Sequence, residues 1–161
     1  MIRALLALIA VGEVAHADIV TLPNTKATID LPSTWKTVEA AGVVLGAKGP
    51  ASEVLAITRA QVPNPDAWRP KKRDAYVDQI EKGVGTKVKG YKRVSRKISE
   101  TNTIPTVDLE AKREDGATIV MRILLYRTYA LSLAIEVPKR ASVKAARAIT
   151  STFVPPVPSG T

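Results

Sequence analysis

The chain has 161 residues, with 24 lysines and arginines against 15 acids, one histidine and no cysteine. A hydrophobic content of 45% with a net charge of +9 is the composition of one folded basic domain, not of a disordered tail. The lack of cysteine excludes a disulfide framework and every thiolate-based chemistry.

The N-terminus has the three parts of a secretory signal. Arg3 follows the α-amino group, Ala4 to Val11 is an unbroken apolar run, and Ala15-His16-Ala17 places small residues where a signal peptidase reads them. Cleavage is expected between Ala17 and Asp18. The apolar run falls well short of the roughly 20 residues that span a bilayer. No cysteine follows it, so no lipid anchor is expected. The expected compartment is the bacterial periplasm or the outside of the cell. Cleavage would remove His16, the only histidine. The mature domain would then lack Ser-His-Asp and Cys-His catalysis, and any metal or haem site that needs imidazole or thiolate. Neither a cofactor nor a metal is expected. The expected organisation is a signal over 1–17, one domain over 18–154 and a tail over 155–161.

Asp18 to Pro23 reads as a lead-in. Ala27 to Leu31 and Trp35 to Val38 read as extended pieces around a Pro-Ser-Thr turn. Gly42 to Lys48 and Glu53 to Gln61 read as a hairpin, punctuated by Gly49-Pro50. Beyond Pro63-Asn64-Pro65, Tyr76, Val77, Ile80 and Val84 fall at helical spacing, predicting a central helix from about Arg73 to Lys82, ended by Gly83 and Gly85. Lys71, Lys72 and Arg73 would oppose the macrodipole at its start. Asp74 as N-cap would leave them in the preceding loop.

Tyr91 to Glu100 and Ile104 to Glu114 face each other across Thr101-Asn102-Thr103. Centred there, the pairing sets Arg93 against Glu110, Ser95 against Asp108 and Val94 against Leu109, giving one charged and one apolar face. Asp115-Gly116 turns into a strand over Ala117 to Arg127. In Tyr129 to Val137 the large residues alternate with Ala130, Ser132 and Ala134, as in a strand with a helix packed closely on its small side. Pro138 opens a final helix whose buried stripe is Val143, Ala146, Ile149 and Phe153, with Arg140, Lys144, Arg147 and Ser151 facing solvent. The sum is an α+β fold: a mostly antiparallel sheet of five to seven strands, one central helix and one C-terminal helix.

The charge is uneven. Arg69 to Lys97 holds eleven cations against Asp74, Asp78 and Glu81, and Pro138 to Val154 adds four cations with no acid. Arg69, Lys71, Lys72, Arg73, Lys87, Lys89, Lys92, Arg93, Arg96 and Lys97 are the expected partner-binding residues. Export turns such a surface away from nucleic acid, toward an acidic protein or an anionic envelope component with at most peripheral membrane contact. Lysine on an edge strand also guards against aggregation.

Two patterns resemble catalytic motifs. Ser33 and Lys36 have Ser-x-x-Lys spacing, but that chemistry needs one helical turn, and Pro32 and Trp35 indicate a turn or strand with Trp35 as a core anchor. Asp108 and Glu110 share a strand face as paired glycosidase carboxylates might, but a charged hairpin face accounts for them.

In order, Ile29-Asp30-Leu31-Pro32-Ser33-Thr34-Trp35, the central helix at Tyr76 to Lys82, the closing strand Tyr129 to Pro138 and the helix ending Ile149-Thr150-Ser151-Thr152-Phe153 make the chain resemble the PsbP-like superfamily, in its DcrB-like bacterial envelope branch. The resemblance implies an αβα sandwich and a non-enzymatic binding or assembly role. It transfers no functional residue. Metal binding in the photosynthetic branch does not carry over, since no mature histidine is left. The competing expectation is a small-ligand binder or carboxylate-based hydrolase with a cleft between sheet and central helix.

Overall fold

A computed structural model describes residues 17–62 and 69–158. The proposed signal, apart from Ala17, lies outside the described residues, as does the end of the tail. Nine strands and two helices are formed: β1 (Ala17–Thr21), β2 (Thr28–Pro32), β3 (Lys36–Val38), β4 (Leu45–Lys48), β5 (Val54–Gln61), α1 (Pro70–Lys87), β6 (Lys92–Thr101), β7 (Ile104–Lys112), β8 (Thr118–Leu125), β9 (Tyr129–Val137) and α2 (Val143–Thr152). Seven strands make one antiparallel sheet in the order β3-β4-β5-β9-β8-β7-β6. The segment read as a lead-in is a strand: β1 pairs with β2 in a separate two-stranded sheet.

Alternation along β8 and β9 decides the layering. One face of the large sheet carries Val120, Leu124, Leu131, Leu133, Ile135 and Val137, and packs against β2, Trp35 and the α2 residues Ala146 and Ile149. Phe153, just past α2, is fully enclosed in this core. The other face carries Val107, Leu109, Ile119, Met121, Ile123 and Leu125 beneath α1. The chain is thus an αβα sandwich whose second outer layer is shared by α2 and the small sheet.

Helix α1 is longer than its sequence pattern, and the placement of its cations is corrected. Arg69 is the N-cap and Pro70 opens the helix, so Lys71, Lys72 and Arg73 occupy the first turn with no acid among them. Gly83 and Gly85 lie inside the helix, because Val84 and Val88 continue the stripe facing the sheet. Val77 is its only buried residue, with Tyr76, Ile80 and Val84 partly buried around it. Since α1 sits over Val107, Leu109 and Met121, the small side of β9 is not tightly roofed: Ser132 and Ala134 are half-buried. Gly90, at φ +69°, allows the sharp reversal from α1 into β6. A side chain there would meet the Glu114 backbone nitrogen at 2.8 Å.

Pro138 precedes α2 by several residues, and Ser142 is the N-cap. Asn102 and Thr103, with φ of 47° and 67°, close the β6–β7 hairpin as a two-residue primed turn. The hairpin register is offset by two residues from the expected one: Ser95 faces Glu110, Arg96 faces Leu109 and Lys97 faces Asp108. An irregularity between Arg93 and Ser95 then sets Arg93 against Ala111.

Candidate binding surface

The predicted cations do not form one patch. Arg69 to Arg73 start α1 and Lys87 ends it, so they are separated by about 26 Å at 1.5 Å per helical residue. Arg93 and Arg96 rise from β6 toward α1 and are met by its acids. Arg93 donates to Glu81 at 2.9 Å, and Arg96 donates to Glu81 at 3.0 Å and also to Asp78. Its bonds to Asp78, and secondarily to Glu81, hold the Arg96 guanidinium above its ordinary pKa. Lys89 pairs with Glu114 at 2.9 Å. Lys71, Lys87, Lys92 and Lys97 form no ion pair among the described residues.

The same corner holds Tyr91, whose hydroxyl donates to Glu81 at 3.0 Å. Burial, reinforced by the bond to Glu81 and its negative charge, pushes the phenol up to about 12. A raised folded pKa means that this contribution to stability is complete below the ordinary value of 10 and is lost as pH climbs through 12. Tyr91→Phe is therefore expected to leave the α1–β6 corner less sensitive to alkali. Unfolding midpoints of both proteins between pH 9 and about 12 check this; parallel losses would contradict it.

The carboxylates Asp108 and Glu110 are engaged, but not by β6. Arg122 of β8 grips Asp108 through two bonds, at 2.6 and 3.0 Å, and donates a third to the Ser151 carbonyl of α2 at 2.9 Å. Arg147 of α2 holds Glu110 by two bonds of 2.9 Å. Both carboxylates thus tie α2 to the sheet. Ser33 lies in the turn after β2 and Lys36 in β3, so they do not share a helical turn. The α1–sheet interface is filled by Val77, Ile80, Val84 and the β7–β8 side chains, and at its β6 margin lies an open hollow whose carboxylates, Asp78 and Glu81, are paired with Arg93 and Arg96. No cluster of three metal-ligating side chains occurs among the described residues.

The residue that composition alone missed is Lys112. In the observed register Lys92, Lys112, Thr118 and Val137 form one row across four strands. Two lysines therefore stand directly opposite on neighbouring strands, an arrangement that destabilises a sheet. Both are exposed. The counterions of this end are spent elsewhere: Glu110 on Arg147, Glu114 on Lys89, and Asp115 and Glu136 on Arg113. Lys144 lies one turn before Arg147 on the same flank of α2, and Lys139 packs on Gly116 of the β7–β8 turn. This end of the sheet gathers lysines from four separate stretches of sequence. The signal was available in Lys112 at the foot of a hairpin opposite Lys92, but reading it required the register.

These features define a two-helix α+β sandwich with a basic end to its main sheet. The architecture is the PsbP-like fold. The solution structure of cyanobacterial PsbP from Synechocystis sp. PCC 6803 superposes with a TM-score of 0.65, covering 94% of this chain and 99% of that chain, at 11% identity. A Pseudomonas aeruginosa protein of unknown function aligns over 89% of this chain and 99% of its own at 18% identity, with a TM-score of 0.48. No protein-family model matches the chain, and no curated protein does.

Proposed function

We infer that the chain is a non-catalytic module that docks an acidic partner on the basic end of its sheet. The observation that carries this reading is the Lys92–Lys112 pair, two like charges in register without a neutralising acid. Local rules broken at a structural cost concentrate where a surface is used. The partner class is an acidic protein or an anionic envelope surface. Export to the periplasm or beyond, as a DcrB-like envelope member of the superfamily, fits the N-terminal sequence. Among the described residues no helix is long and apolar enough to cross a membrane.

The test exploits opposite signs. Lys112→Glu converts the repulsion into a cross-strand ion pair and should stabilise the fold by about 0.2–1 kcal/mol. The same change should weaken capture of acidic envelope proteins or anionic vesicles by the chain beginning at Asp18, and capture should fall steeply with salt. Thermal unfolding and co-sedimentation read the two effects. A variant that is more stable and binds equally well would show that the lysines serve solubility alone.

A further inference from the structure

The lysines of β6 belong to an open sheet edge. β6 is the last strand of the seven-stranded sheet and runs for ten residues, against three for β3 at the opposite edge. The two-residue turn makes Thr101 and Ile104 the closing hydrogen-bonded pair. Ser95, Lys97, Ser99 and Thr101 therefore direct their backbone groups to β7. Arg96, Ile98 and Glu100 direct theirs outward. The far side of β7 agrees: the Arg113 N–H donates to the Ala117 carbonyl, so odd-numbered β7 residues bond β8 and even-numbered ones bond β6. Among the described residues nothing meets the outward N–H and C=O groups of Arg96, Ile98 and Glu100.

The two sides of this edge differ. On the α1 side, Arg93 and Arg96 are already paired with Asp78 and Glu81. On the α2 side, Lys92 and Lys97 are exposed and form no ion pair among the described residues: Asp108, the cross-strand neighbour of Lys97, is held by Arg122, and Glu110 by Arg147. Beside Lys97 an open groove of about 410 Å³ runs between the edge and α2, past Ser95, Asp108 and Arg147. A second copy of β6 laid against the first would bring lysine and arginine against lysine and arginine. An extended segment with acids at alternate positions would set one acid beside Lys97 and bring its end toward Lys92, just beyond the irregularity, with room in the groove for its side chains.

On these grounds we propose that the β6 edge, from Ser95 to Thr101, accepts an extended, acidic segment of a partner protein as an added antiparallel strand. The proposal rests on the docking function inferred above and specifies its mode. The backbone groups of Arg96, Ile98 and Glu100 supply the ladder. Lys92 and Lys97 select an acidic partner and reject self-association, so the charges that protect the edge also choose what joins it. The irregularity after Arg93 marks where pairing stops.

The probe is a peptide of alternating glutamate and threonine, added to the full chain at low salt, with amide hydrogen exchange followed residue by residue. Strand addition is expected to slow exchange at Arg96, Ile98 and Glu100, while Lys97 and Ser99, already bonded to β7, change little. Glu100→Pro is the second arm. It removes an outward N–H that no neighbouring strand uses, and it makes the protein one charge more basic. Strand addition predicts binding weaker by about tenfold, the worth of a ladder hydrogen bond. Diffuse attraction predicts equal or tighter binding. Salt-sensitive binding without protection at the three amides, to the peptide or to anionic vesicles alone, overturns strand addition and leaves the docking function standing. No binding of either probe overturns both.

Discussion

Phe153→Ala is expected to destabilise the domain by about 3–5 kcal/mol, the range for emptying a fully enclosed aromatic site. Phe153 is the only phenylalanine and has no exposed surface. Its position multiplies the effect. It follows the last turn of α2, and the next residue, Val154, exchanges two backbone bonds of 3.0 Å with Thr28 at the start of β2. The ring thus lies where helix, small sheet and large sheet meet. Folded domains have total stabilities of roughly 5–15 kcal/mol, so the variant should lose a large part of its margin. Urea unfolding would show this as a lower midpoint. Phe153→Leu, which keeps most of the volume, should lose much less. A loss below about 1 kcal/mol for the alanine variant would mean that the junction collapses around the void.

The second large effect is expected at Arg122. Its guanidinium holds Asp108 by two bonds and the α2 carbonyl of Ser151 by a third, with the arginine side chain 15% exposed and the aspartate side chain 33% exposed. Arg122→Met keeps the aliphatic stem and strands the carboxylate. The cost should be about 2–3 kcal/mol, less than the 3–5 kcal/mol of a wholly buried pair because Asp108 still reaches water. Adding Asp108→Leu removes the stranded charge and should recover most of that loss. The double-mutant comparison is the measurement. If the second change deepens the loss, the pair contributes through packing and not through charge.

How far the sequence reaches is clearest in particular elements. The alternation of β9 and the stripe of α2 fix which side chains are buried, and the structure follows both. Strand β1 escapes because Ala17–Thr21 carries no strong pattern of its own; its partner β2 confers its structure, and that pairing is non-local. Helix α1 begins earlier than Asp74 because Pro70 fits a first helical position. It ends later than Gly83 because the apolar stripe outweighs two glycines that each cost roughly 1 kcal/mol. The expected hairpin pairing is offset by two residues from the observed register, an even shift that keeps each side chain on its face. Only beyond the irregularity at Val94 does the facing change, carrying Arg93 to the α1 side. The candidate surface was half legible. Lysine density along β6 is a sequence property. Neutralisation of Arg93 and Arg96 by α1, and the recruitment of Lys112, are properties of pairing.

The strand order has a consequence for how the chain is made. β5 lies inside the large sheet between β4 and the middle strand β9, yet β9 is the last strand in sequence among the described residues. A chain emerging N-terminus first can close the β3–β4–β5 piece but cannot complete its central ladder until Val137 is available. Its largest fully buried side chain comes later still, at Phe153. The early half must wait for the late half, and closing that long loop is slow. Until then β5 has an unpaired edge, and the sheet remains in two pieces while most of the chain is made.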